Sequence, residues 1–215
     1  MPGAVYFDVD TQYDLMMPDG GLYVPKAVEI LVRLKELMAH ARKAGIPILG
    51  SVEEHTKDDA ELSTRPDFKR TFPAHCMRTT PGQRKITETL PADPLWVDEK
   101  PLAREDLVRL VTHHRGEVYF RKSQFDVFTN PNVLPALDLF RPVEIVVFGV
   151  MLDLAVACAI EGFLKHGKSR IVLAEDAVRA VDEARGKQLL ADWKARGVSI
   201  VKSSVLVGAA ESGAS

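Results

Sequence analysis

The chain has 215 residues, 46% of them hydrophobic and 27% charged, which is enough to bury one sizeable core, so a single domain over residues 1–215 is expected. Its 28 basic and 30 acidic side chains give a net charge of −2 and are scattered along the chain, which excludes the basic stripe that a nucleic-acid partner requires. No run approaches the roughly 18 apolar residues of a membrane span, and residues 1–9 lack the layout of a secretory signal, so a cytoplasmic protein with no membrane partner is expected.

Short β-branched runs alternate with segments of helical period, the pattern of a doubly wound, three-layer α/β fold with a parallel sheet. Residues 4–9 form the first expected strand. Residues 27–42 follow with Ile30, Leu31, Leu34, Leu37, Met38 and Ala41 on one helical face, and Gly45 is placed to end that helix in the left-handed conformation. A second strand is expected at 46–52. Residues 55–94 are rich in Thr, Pro, Asp and Lys and have weak periodicity. They read as an excursion from the sheet, of a length that usually serves function. Further strands are expected at 117–121, 143–148, 171–174 and 198–201, with helices at about 153–166 and 183–196, and a loose tail at 211–215. His113 and His114 read as a solvated helix end. Cys76 and Cys158 are too few for a disulfide framework, and no disulfide is expected.

Asp10 lies just beyond the first strand, and open α/β sheets bind ligands beyond the carboxyl ends of their strands. A carboxylate shielded there would have a raised pKa and suit general acid/base work, whereas a solvated turn carboxylate is the plainer reading of the position alone. Glu53 and His55 are two apart, a spacing that turns both to the same side of an extended chain. With His75 they could grip one divalent ion, of which zinc, iron and manganese suit the donors.

Four strings carry a resemblance. Asp10-Thr11-Gln12-Tyr13-Asp14 and the Pro18-Asp19-Gly20-Gly21 that follows it are similar to the first-strand signature of the isochorismatase-like hydrolases, in the form seen in nicotinamidases. Phe72-Pro73-Ala74-His75-Cys76 resembles the nicotinamidase segment that supplies a metal-binding histidine. Lys122-Ser123-Gln124-Phe125-Asp126-Val127-Phe128 resembles the segment of the catalytic lysine. Gly149-Val150-Met151-Leu152-Asp153-Leu154-Ala155-Val156 resembles the turn that presents a nucleophilic cysteine. The matches extend from Val5 to about Ala174.

The resemblance implies a homo-oligomeric hydrolase of a small amide such as nicotinamide, without an organic cofactor. It makes Asp10 the acid/base, Lys122 its partner, Glu53, His55 and His75 the metal ligands, and the N–H groups of Met151 and Ala155 the oxyanion hole. Phe72, Phe125 and Phe128 are candidates to stack on the substrate. Two positions depart from the family pattern: Glu53 stands where nicotinamidases have aspartate, and Ala155 stands where they have the cysteine. Alanine cannot attack a carbonyl, and Cys158, about one helical turn further on, reads as a small buried apolar residue. Three accounts fit Ala155: an engineered cysteine-to-alanine change, a thiol-free vinyl-ether hydrolase of the isochorismatase type that uses Asp10 alone, or a catalytically inactive relative that binds a small molecule.

Overall fold

The structure is a computed structural model that describes residues 3–208; the expected loose tail lies outside the described residues. Seven strands form one sheet: β1 (Ala4–Val9), β2 (Ile48–Glu53), β3 (Pro94–Val97), β4 (Glu117–Lys122), β5 (Glu144–Val150), β6 (Arg170–Arg179) and β7 (Ser199–Val201). Their order is β3-β4-β2-β1-β5-β6-β7, and every neighbouring pair is parallel. The near-continuous Val, Ile and Phe content of β1 and β5 is what burial on both faces demands.

Alternation along the strands divides the core in two. Phe7, Leu49, Val118 and Val147 join the helices α3 (Arg104–His113), α4 (Val133–Phe140), α5 (Ala155–His166) and α6 (Glu183–Ala195) on one face. Tyr6, Ile48, Val146 and Phe148 meet Leu34, Leu37, Met38 and Ala41 of α2 (Leu31–Ala44) on the other. The three-layer doubly wound architecture expected from the pattern is therefore present. The short helices α1 (Tyr13–Met16) and α7 (Ser203–Gly208) complete the α-helices among the described residues.

The structure corrects several boundaries. The expected helix at 27–42 divides into a 3-10 turn, Ala27–Ile30, and α2, which runs on to Ala44 and ends at Gly45 with φ 64°. β6 runs five residues past its apolar run, to Arg179, because Glu175 and Asp176 interrupt the hydrophobic pattern without ending the strand; the Asp176 carboxylate accepts the Ser203 N–H and hydroxyl. β3 was not among the expected strands: it is a four-residue edge strand that opens with proline, a residue an edge tolerates.

Where β1 and β5 end, Val9 lies opposite Gly149. A Cβ on Gly149 would stand 2.1 Å from the Val9 carbonyl oxygen, and its φ is +118°, so only glycine allows the two strands to close here. That closure brings Asp10, just past β1, level with the turn that leads from β5 into α5.

Candidate active site

Three adjacent strand ends deliver three ionisable side chains to one place. Asp10 follows β1, Glu53 ends β2 and Lys122 ends β4, with Glu53 and Lys122 directly opposite in register. Lys122 Nζ lies 2.8 Å from Asp10 Oδ2 and 3.0 Å from Glu53 Oε1. Glu53 Oε2 lies 2.9 Å from His75 Nε2, and Ser51 Oγ donates to Asp10 Oδ1 at 2.7 Å. The ion-paired side chains are fully buried. Asp10 also has φ +49°, a left-handed backbone that is costly for a residue with a side chain and that often marks functional turns.

Two buried carboxylates compete for one ammonium, and their environments separate them. Burial pushes Asp10 up to about 6, against the pull of Lys122 and with the help of the Glu53 charge. For Glu53 the upward push of burial is outweighed by Lys122, by the nearby His55 ring and by the hydrogen bond to His75, which hold it well below the usual carboxylate range. Burial would lower Lys122, but the Asp10 and Glu53 charges outweigh it and raise it above an ordinary lysine. The lysine therefore stays charged, Glu53 stays ionised, and Asp10 is the group poised to exchange a proton near neutrality.

On the far side of Glu53 lies a cluster with unused donors. Glu53, His55, Glu61 and His75 each offer a ligand atom, and these atoms lie within 4.8 Å of one another. Among the described residues, both ring nitrogens of His55 and Glu61 Oε1 are buried without a hydrogen-bond partner; carboxylate oxygens approach His55 at 3.4 Å from Asp59 Oδ2 and 3.7 Å from Glu53 Oε2. Orphaned buried acceptors are costly, and a divalent cation would satisfy them together, so the residues present fit one. Two imidazoles with two carboxylates suit zinc, iron or manganese. The structure thus brings the expected Glu53, His55 and His75 together and adds Glu61, whose carboxyl burial pushes up to about 7 with Glu53 contributing. Glu61 carried no spacing signal in the sequence because the loop, not a strand or helix, aims it.

The turn into α5 is anchored by its own backbone. Leu152 N–H donates to the Arg179 carbonyl, Val156 N–H to that of Met151, and the Asp153 carboxylate accepts the N–H groups of Val181 and Asp182 at 2.9 Å, which pins the turn to the chain after β6. Among the described residues, the N–H groups of Met151 and Ala155 donate to no protein group. The Val150–Met151 peptide is cis. Ala155, the first residue of α5, is 1% exposed.

The aromatic candidates separate. Phe72 packs edge-to-face on Phe125, centroids 4.8 Å apart, and approaches the His75 ring at 6.4 Å. Phe128 turns instead to Phe163 at 5.5 Å and fills the space that a side chain at Gly162 would need, so its ring belongs to the packing of α5. Cys158 was expected to be buried but is half-buried, at the margin of the α5 face formed by Ala155, Val156, Ala159, Ile160 and Phe163; burial, then Asp126, pushes its thiol up. Cys76 and Cys158 are both free thiols. His113 ends α3 as expected, and among the described residues no helix is long and apolar enough to cross a membrane.

Known proteins place this architecture. No curated protein sequence matches the chain, but solved structures do. Pyrazinamidase of Pyrococcus horikoshii in complex with zinc aligns with TM-score 0.74 at 22% identity, over 94% of this chain and 99% of that one. Nicotinamidase/pyrazinamidase from Bacillus subtilis aligns with TM-score 0.70 at 19% identity, over 94% and 100%. N-carbamoylsarcosine amidase from Thermoplasma acidophilum aligns with TM-score 0.68 at 20% identity, over 94% and 97%. These likenesses establish the fold. The family model described as Isochorismatase domain matches residues 6–204, nearly the whole chain, and on that match the protein belongs to the isochorismatase family of hydrolases.

Proposed function

We propose that this is a small-amide site of the nicotinamidase type whose nucleophile position is occupied by Ala155. Asp10 is the proton carrier, Lys122 holds it and balances its charge, and the Met151 and Ala155 N–H groups receive the oxyanion. Phe72 and Phe125 flank the substrate. The observation that carries this reading is the fully buried Asp10–Lys122–Glu53 chain at neighbouring strand ends, with β1 paired at Val9–Gly149 to the strand that leads into the α5 turn and its two unused N–H groups. A buried charge left unpaired costs several kcal/mol, and a fold that needed only packing would gain nothing from three of them.

With a thiol at position 155 the steps balance. The helix N-terminus and Lys122 favour the thiolate, and Asp10 takes the thiol proton. The sulfur adds to the amide carbonyl, whose oxygen gathers charge at the two N–H groups. The C–N bond breaks as Asp10 returns the proton to the leaving nitrogen, releasing ammonia. Water, deprotonated by Asp10, then cleaves the thioester and frees the acid and the thiol. As the chain stands, the first addition has no attacking atom, and the site binds its ligand without turning it over. Glu53, His55, Glu61 and His75 would hold the divalent cation, which when bound supplies an electrophilic centre that orients a polar atom of the substrate.

The test is ammonia release from nicotinamide and other small amides. The unmodified chain is expected to be silent and Ala155→Cys to be active; thiol-insensitive turnover by the unmodified chain contradicts the reading. A second reading follows from the Asp10 carboxyl being pushed up to about 6: a group protonated so near neutrality could protonate a vinyl ether with no thiol at all. Hydrolysis of isochorismate by the unmodified chain would favour that alternative, whereas tight binding of an amide with an inert Ala155→Cys variant would favour a binding protein.

A further inference from the structure

The string after β1 does more than carry Asp10. Gln12 is completely buried, and its carboxamide makes three bonds to backbone. Oε1 accepts the Glu53 N–H at 2.7 Å, while Nε2 donates to the Glu53 carbonyl at 2.8 Å and to the Gln83 carbonyl at 2.7 Å. Only one orientation of the amide satisfies one N–H and two carbonyls, so the network fixes it. Two residues on, Asp14 Oδ2 accepts the N–H of Cys76 at 2.7 Å and Oδ1 that of Gly21 at 3.0 Å. Cys76 follows His75, and its carbonyl accepts the His55 N–H at 3.1 Å. A single short stretch thus grips the peptide of Glu53 and the peptide next to His75.

From this geometry we propose that Gln12 and Asp14 are positioning residues for the cation cluster, holding the Glu53 and His75 segments in register with one another from a shared anchor. The inference rests on the cation reading of Glu53, His55, Glu61 and His75 given above. The ligands come from a strand end and a long loop, which meet in no regular sheet but at two isolated bridges, His55–Met77 and Leu62–Phe72. A site that must keep its donors within a fraction of an ångström needs something to join them. The segments are joined through Gln12 and Asp14, and the fit is close: a Cβ on Gly82 would lie 2.1 Å from the Asp14 carboxylate.

The experiment uses the full chain stripped of metal and titrated with zinc and, separately, manganese against a competing chelator. Gln12→Glu keeps the shape of the side chain but loses both donors, and Asp14→Asn keeps an acceptor for only one of the two N–H groups. Each is expected to weaken cation affinity about 10- to 100-fold. Tyr13→Phe, between them, removes a hydroxyl that among the described residues meets only Asp19 and is expected to leave affinity unchanged. The thermal midpoint of the metal-free protein separates positioning from mere stabilisation: a structural role would lower the midpoint and leave the affinity of the folded protein intact, and that result overturns the proposal. If Gln12→Glu does not fold, the half-buried Asp14→Asn decides alone. If the unmodified chain binds zinc or manganese and His75→Ala abolishes that binding while folded Asp14→Asn binds normally, the positioning inference falls and the cation site stands; if the unmodified chain binds neither ion, both fall.

Discussion

Two aspartates two residues apart, Asp8 within β1 and Asp10 just past its end, each meet a buried lysine, and they serve different ends. Asp8 Oδ2 lies 2.6 Å from Lys85 Nζ, while Thr11 Oγ1 and the Tyr119 hydroxyl donate to the same carboxylate at 2.8 and 3.3 Å. Lys85 Nζ sits 4.7 Å from the Tyr119 ring centroid. This pair is closed: one acid, one base and neutral donors, within regular strand backbone, tying the segment around Lys85 to the sheet. Asp10 and Lys122 have the same chemistry at 2.8 Å, but a second carboxylate claims the same ammonium, the backbone is left-handed, and a helix start lies alongside. A buried ion pair is therefore no sign of function by itself; two acids competing for one base, with the carboxyl of one pushed up to about 6, is a much stronger one.

Changing one pair at a time separates their roles. The largest effect is expected at Asp10: in the Ala155→Cys background, Asp10→Asn should reduce turnover at least about 10²- to 10⁴-fold, with small-amide binding held within about tenfold because binding rests on the cation and the aromatics. Asp8→Asn should leave turnover per folded molecule largely intact. The reverse holds for stability. Lys85→Met leaves the Asp8 charge buried without its partner and should cost about 3–5 kcal/mol in urea unfolding, whereas Asp8→Asn combined with Lys85→Met should cost less than the sum of the two single changes. Equal effects of the two pairs on turnover would erase the distinction.

Two further predictions sharpen the open pair. Protein purified without chelator should carry divalent metal by elemental analysis, and His75→Ala should remove it; unchanged metal content would place the ion elsewhere. The pH dependence follows from the raised Asp10 carboxyl. As a base, Asp10 must be ionised, so the kcat/KM of Ala155→Cys should fall as pH drops through about 6 rather than near the 3.8 of an unperturbed aspartate. An acid limb near 4 would show that burial does not govern the proton carrier.

Six of the seven strands, the helices α2, α5 and α6 and the strand-end residues of the candidate site were legible because they repeat a period or sit at a strand end. β3 and α4 were not among the expected elements, and of α3 only the end at His113 was. Asp10, Glu53 and Lys122 each follow an apolar strand run, and His75 lies within a string of recognisable form. Glu61 was not legible: it reaches the cluster through the path of a loop without periodicity, and no local spacing relates it to His55 or His75. Gln12 was quoted only as part of a motif, since its use depends on two carbonyls, at Glu53 and Gln83, that are distant in the chain. Asp8 could have been singled out, because an acid inside a run of valine, tyrosine and phenylalanine implies a buried partner. Its partner Lys85 could not, as it comes from the excursion. Half-burial of Cys158 likewise depends on where the α5 face ends, which the apolar pattern of that helix leaves open.

The most direct test of the central claim, that position 155 is a nucleophile's place in an otherwise complete amidase site, is intact-mass measurement of Ala155→Cys quenched during turnover of a small aromatic amide. The expected result is an added acyl group that maps to position 155, is lost when Asp10 is changed to Asn, and never forms on the unmodified chain. An acyl group found on Cys76 or Cys158 instead, or steady turnover by the unmodified chain with no adduct at all, would contradict it.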